Sequence, residues 1–324
     1  MIDFRYHLVS IVAIFLALTV GIVLGSTVLQ NPIISSTQAT AESLKKVNQD
    51  QRDQIAALQA REDGNNAFVA GATAELVKGD LAAEHVVVVE APGAPSGLRD
   101  QVREAIELAG GTYTGRVALT DRFIAPEQAG VVEGLAAQLA PVGTMFPEGA
   151  TPYDKAGQVL AGALMTSVAM QAGTVNAAAS SVLEVFQEGG FISMSDDPGK
   201  RATLAVVVAP AVPYEGEAAE AQNGAVVSVA GALDKAGLGT VLAGTITASS
   251  TGGVIAALLD SGDEASQVST VDTLDLPSGR AVVVYALREQ YAGRSGAYGI
   301  GSGATAFEPP PSASPSPSPP ATGG

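Results

Sequence analysis

Two histidines, five methionines and no cysteine are the only soft-metal ligands in these 324 residues. The histidines are His7 and His85; the methionines are Met1, Met145, Met165, Met170 and Met194. Thiolates and thioethers suit soft transition-metal ions, and imidazole suits borderline ones. The missing cysteine removes disulfides, thiolate metal sites and thiol catalysis. Met165 and Met170 fall on an expected apolar helix, Tyr153–Gln171, where a thioether packs into a core. No pair forms a metal box, so the metal ligands stay unknown at this level. Any Ser–His–acid triad would need His85, which opens an expected strand and reads as a partly exposed structural histidine. Neither the P-loop pattern nor a G-x-S-x-G elbow is present. The expectation is a protein that is not an enzyme, with no catalytic or cofactor-binding residues.

The remaining candidates are glycines and carboxylates. Gly299-x-Gly301-x-x-Ala304 resembles a dinucleotide loop in spacing, but it is expected to follow no strand and open no helix, as a flexible segment. Pro92-Gly93-Ala94-Pro95-Ser96-Gly97 stands between a strand end and a helix start, where anions bind; a plain turn with Ser96 near the N-cap is the simpler reading. Asp196-Asp197-Pro198-Gly199 reads as a turn. Asp260, Asp263 and Glu264 surround a glycine bend, and Asp272 and Asp275 occupy a loop before Arg280. All are expected to be solvated, without the ligand spacing of a hard-cation site.

These residues are carried by alternating strands and helices. His85–Glu90, Thr112–Leu119, Thr203–Val208, Gly239–Ala243 and Ala281–Leu287 are apolar, β-branched runs of strand length. Ser96–Ala109, Val182–Glu188 and Val226–Ala236 are helical stretches. Each ends at glycine, which suits a helix C-terminus that must turn before a strand. After the second of these helices, Phe191–Met194 is expected as a further strand. The alternation predicts a Rossmann-like α/β domain with a largely parallel sheet over 67–305, divisible near 140–150 where Pro141, Pro147 and Pro152 cluster. A transmembrane β-barrel fits poorly, because its strands alternate apolar and polar residues. The Pro/Ser-rich tail, 306–324, is expected to be disordered.

The N-terminus predicts a membrane anchor. No charged residue occurs from Leu8 to Asn31, and residues 8–30 are long enough to span a bilayer core of about 30 Å as one helix. This run exceeds the apolar region of a cleaved signal peptide, about 7–15 residues. Arg5 lies in the flank 1–7, while the residues after the span up to Thr40 carry no Lys or Arg. That asymmetry puts the N-terminus in the cytoplasm and the rest outside. Ala13, Ala17, Gly21 and Gly25 recur every fourth residue and form a small-residue face on which two anchors can pair. Pro32 is expected to break or kink the path. Residues 31–66 then form a helical stalk, ended by Gly64-Asn65-Asn66. Leu44, Val47, Ile55 and Leu58 give it a stripe that suits either a weak coiled coil or an exposed helix. The expected partners are a lipid bilayer and a second copy. A net charge of −16, with a pI near 4.4 and no basic cluster, argues against nucleic acid.

Met1-Ile2-Asp3-Phe4-Arg5-Tyr6-His7-Leu8-Val9-Ser10, with Phe15-Leu16-Ala17-Leu18 and Gly21-Ile22-Val23-Leu24-Gly25-Ser26, resembles the start of the mycobacterial copper-transport protein B (MctB) family. Leu119-Thr120-Asp121-Arg122-Phe123, Thr240-Val241-Leu242-Ala243-Gly244, Ser269-Thr270-Val271-Asp272, Gly279-Arg280 and Tyr298-Gly299 continue the likeness through nearly the whole chain. The resemblance implies an actinobacterial envelope protein linked to copper efflux or tolerance, with copper ion as its cargo. It also implies the outer membrane and a pore, whereas the anchor implies a single-pass protein of the cell membrane. A non-catalytic dimeric scaffold, anchored and not handling copper, is the other reading the residues leave open.

Overall fold

The computed structural model describes residues 4–196, 198–262 and 267–311, with the backbone alone for 27–39. Asp197, Asp263, Glu264 and the tail from 312 onward lie outside the described residues. The chain divides into two compact units, Met1–Asn65 and Asn66–Gly324.

The first unit is helical. A single helix, α1, runs Phe4–Leu76, which corrects the expectation that Pro32 breaks the path and that Gly64-Asn65-Asn66 ends the stalk. Proline removes one backbone donor, and glycine and asparagine each disfavour helix by up to about 1 kcal/mol. Runs of Ala, Gln, Glu, Lys and Leu from Ala39 to Ala60 and from Ala67 to Leu76 outweigh those local penalties.

The second unit alternates as expected. In chain order its elements are β1 His85–Glu90, α2 Ser96–Leu108, β2 Thr112–Leu119, α3 Asp121–Ile124, α4 Ala129–Leu139 and α5 Pro152–Leu164. Then come α6 Ala177–Glu188, β3 Ile192–Asp196, β4 Leu204–Val208, α7 Ala219–Ala236 and β5 Gly239–Ala243. The last are α8 Val254–Asp260, β6 Ser269–Val271, α9 Pro277–Tyr291 and β7 Ala297–Tyr298. The sheet order is β3-β2-β1-β4-β5-β6-β7. Every neighbouring pair is parallel except β2 with β3. Continuous apolar strands such as β1 and β4 suit this arrangement, because both faces of the sheet are covered. Val87, Val89, Ala205, Val207 and Leu242 face a layer containing Leu160, Leu183, Phe186 and Val229. Val86, Val88, Leu204, Val206 and Val241 face Ile106, Val283 and Leu287, together with Val77 and Leu81 from the segment leading into β1.

Three expectations are corrected. Ala281–Leu287 is not a strand but the middle of α9, with Pro277 in its first turn. Ala281, Val282, Val283, Val284, Ala286 and Leu287 are all buried, so a helix covered almost all round shows no amphipathic period. The long helix over Tyr153–Gln171 stops at Leu164, where Met165 turns extended (φ −115, ψ 159) and bridges Ala202. Phe191–Met194 shifts to Ile192–Asp196 and pairs antiparallel with β2. Beyond β7, Ala306 bridges Tyr298 and Pro309 is buried, so ordered packing continues past residue 305.

Candidate functional site

The membrane-facing candidate lies at the start of α1. Phe4–Ser26 is 23 residues long and apolar enough to cross a membrane, with none of it buried within the chain. At about 1.5 Å per residue it covers roughly 34 Å. Two of its hydroxyls turn inward: Thr19 Oγ1 donates to Phe15 O at 2.6 Å and Ser26 Oγ to Val23 O at 3.1 Å, which satisfies polar groups in hydrocarbon. Ala13, Ala17, Gly21 and Gly25 share one face by their spacing, and a Cβ at Gly21 or Gly25 would meet nothing. Leu44, Val47, Ile55 and Leu58 are all exposed along the same helix.

The soft-metal ligands do not converge. Met165 is buried at 2% exposure, packed against the turn that precedes β5. Met170 is 92% and Met145 86% exposed, so the expectation of two core methionines on one helix holds for the first alone. Met170 falls instead in a short 3-10 turn after α5 has ended. Met194 lies half-buried on the edge strand β3. His85 opens β1 half-buried; its Nδ1 is sealed without a partner, and Gly173 (φ +70) lies against its Nε2. Among the described residues no three His, Cys, Asp or Glu side chains are placed to share a metal.

The strand order reverses between β1 and β4, the place where open α/β sheets bind ligands. Here the crevice is filled by the chain itself. Ala211 N donates to Gly93 O at 3.0 Å, Tyr214 Oη to Pro92 O at 3.0 Å, and Thr247 Oγ1 to Ala211 O at 2.8 Å. Gly93 takes φ +83 beneath Pro210. Burial pushes the Tyr214 phenol well above its ordinary range, with Asp121 adding to the effect. Pro95, not Ser96, is the N-cap of α2, and no side chain caps that helix.

Below the crevice, Glu90 is 5% exposed. Arg116 Nε donates to its Oε2 at 2.7 Å, and Arg99 Nε stands 3.7 Å from Oε1. Asp272, expected to be solvated, is 3% exposed. Its carboxylate accepts the backbone N–H groups of Ile300 and Gly301, each at 2.9 Å. The Gly299–Gly301 segment is thus neither flexible nor remote from a strand: it follows β7 directly and wraps the carboxylate. Sequence reasoning missed both acids. Their one signal was a charged residue closing an apolar β-branched run.

A cleft of about 990 Å³ lies between α5, α6 and α7 in the second unit, lined in part by the 141–150 loop. Gly162, Gly224, Gly231 and Ala232 are among its small lining residues, and Glu148, Asp154 and Lys235 are the charged ones. Asp154 accepts from Ser228 Oγ at 2.5 Å and closes a capping box with Thr151. These bonds hold its carboxyl below the ordinary value against the opposing effect of burial.

Residues 1–309 match the family model described as "Copper transport outer membrane protein, MctB". The chain belongs to the MctB family. A relative named copper transporter MctB, from Mycobacterium tuberculosis (strain H37Rv), is 30% identical over 310 residues, covering 94% of this chain and 98% of the relative. A second of that name, from Mycobacterium leprae (strain TN), is 30% identical over 320 residues, covering 96% and 100%. The likeness therefore includes the anchor, the long helix and the α/β domain together. The family's name points to transport and to a membrane, and the apolar start of α1 fits membrane anchoring.

Proposed function

We propose that this chain is a membrane-anchored envelope protein that takes part in copper transport or efflux and in copper homeostasis. The observation that carries the reading is the family match over residues 1–309, shared with relatives named copper transporters across nearly their full length. Copper is cargo in this reading, not a resident cofactor, which agrees with methionines and histidines scattered along the chain. Loss of the gene should raise copper sensitivity and cell-associated copper, and the full chain should restore both. Unchanged tolerance and copper content on deletion, with no copper(I) bound by the full chain in detergent, would overturn it.

The proposed topology has residues 1–7 in the cytoplasm, one helix in the cell membrane, and the Rossmann-like α/β domain outside. The arginine in the N-terminal flank supports that orientation. Two copies pair through the Ala13, Ala17, Gly21 and Gly25 face and continue as a coiled coil past Leu44 and Leu58. Gly21→Leu with Gly25→Leu should cut crosslinked dimer in membranes by roughly threefold or more, since close backbone approach is lost. Equal crosslinking of wild type and variant removes this interface.

A further inference from the structure

The stalk part of α1 carries two amides in the middle of its apolar stripe. Every side chain from Thr40 to Asn65 is exposed, and these residues belong to the first compact unit. A solvated helix gains little from propensity alone; in proteins most helical stability comes from packing an amphipathic face. A heptad frame supplies such a face. Ala41, Asn48, Ile55 and Glu62 fall at a, and Leu44, Gln51 and Leu58 at d. Leu44, Ile55 and Leu58 are 65%, 54% and 57% exposed, and Val47 flanks them at g. Off this seam, Gln49 Nε2 donates to Asp53 Oδ1 at 2.9 Å; Asn48 and Gln51 stand on it, one turn apart. The pattern fits a second copy of the chain lying parallel. A β-branched residue at a with leucine at d, as in Ile55 and Leu58, favours two strands. In a parallel pair each g residue meets the e residue of the following heptad in the second copy. Those pairs are Thr40 with Lys45, Val47 with Arg52 and Gln54 with Gln59, and none sets like charges together. An antiparallel pair sets e against e and brings Lys45 to Arg52, a repulsion.

We propose that Asn48 and Gln51 form a polar layer that fixes the stalk as a two-stranded, parallel, in-register pair; the inference rests on the pairing of two copies proposed above. In register, the Asn48 amides of the two copies meet across the seam and hydrogen-bond to each other, and the Gln51 amides do so in the next layer. A slip of one heptad sets Asn48 against Ile55 or Ala41 and buries each amide among apolar side chains without a partner. The layer thus penalises wrong registers more than it strengthens the right one. It also makes the seam weaker than an unbroken apolar one. Two anchors in one bilayer offset that weakness, because they hold the stalks at high effective concentration.

The chain has no cysteine, so a single one placed on the stalk reports pairing by itself. In membranes holding the full chain, a short thiol crosslinker should join Ala41→Cys, on the seam, and leave Lys46→Cys, on the outer face at f, as monomer. Equal yields from the two positions, or none from either, overturn the pairing and the layer with it. Where Ala41→Cys does pair, Asn48→Leu with Gln51→Leu in the same chain tests the layer alone. Crosslinking at Ala41→Cys should fall by about half, and the particle mass in detergent should spread above that of a dimer, as slipped and larger bundles form. Unchanged crosslinking and an unchanged dimer mass overturn the layer and leave the pairing standing. Asn48→Asp with Gln51→Glu keeps the stalk polar and sets like charges across the seam, so crosslinked dimer should drop roughly threefold. An equal yield means that these side chains do not face each other, and overturns the layer as well.

Discussion

Arg116→Ala is expected to destabilise the α/β domain by about 3–5 kcal/mol, the usual result of stripping one partner from a buried ion pair. Glu90 sits at the end of β1 with its side chain 6% exposed, against 20% for Arg116. Arg116, opposite Val88 on the neighbouring strand, reaches Oε2 through both Nη2, at 2.5 Å, and Nε, at 2.7 Å. Without it, the carboxylate keeps only Arg99, which is 3.7 Å from Oε1 and also bonded to Asp100. Oε1 already has no hydrogen-bond partner. Glu90→Leu with Arg116→Leu should recover most of the loss, since two apolar side chains leave no charge stranded. Urea unfolding of the three proteins measures both steps. A single variant within about 1 kcal/mol of wild type would mean that the pair is solvated in solution.

The same pair shows where a sequence stops being legible. The strand β1 could be read from four consecutive valines between polar ends, because a strand buried on both faces has no alternation to hide. Glu90 could not be read as buried, because what permits its burial is an arginine 26 residues away on another strand. Asp272 failed for the same reason: its donors, Ile300 and Gly301, lie 28 and 29 residues on. Helix α9 was lost in the opposite way. Its valines read as a strand because almost every side is covered, and only Pro277 and a length of 15 residues mark it as helix. The two-residue strand β7 is below what any periodicity can reveal, so the glycine loop after it looked detached.

Membrane attachment and fold together constrain how the family's transport role is carried out. The sheet is open, with β3 and β7 at its edges, and helices cover both faces. Strands so placed have apolar side chains on both sides and no lumen between them, unlike a membrane barrel, in which polar side chains face a lumen. Among the described residues, the one helix long and apolar enough to cross a bilayer is the 23-residue start of α1. Passage of copper across a bilayer, in the proposed function, thus depends on paired or partnered helices rather than on the α/β sheet.

Gly299→Ala should cost about 4 kcal/mol, and a second glycine supplies the control. Gly299 holds φ +129, and a Cβ there would overlap Asp272 Oδ1 and stand 3.1 Å from Oδ2. The backbone is fixed on both sides, since Asp272 N donates to Tyr298 O at 3.1 Å and Gly299 N to Ala306 O at 3.0 Å. The loop beyond is anchored by Ser302 Oγ on Ser249 O at 3.0 Å. A methyl group therefore strains the dihedral, by about 1–3 kcal/mol, and also pushes the carboxylate off two backbone donors, where each charged hydrogen bond is worth about 1.5–3 kcal/mol. Gly216 shares the positive φ, +82, but a Cβ there meets nothing within 4 Å, so Gly216→Ala should show the dihedral strain alone, about 1 kcal/mol. For a domain of this size the difference between the variants is about 6–12 °C in Tm. Equal midpoints would mean that Asp272 does not hold the loop, and that the bonds to Ile300 and Gly301 add nothing to the stability of the fold.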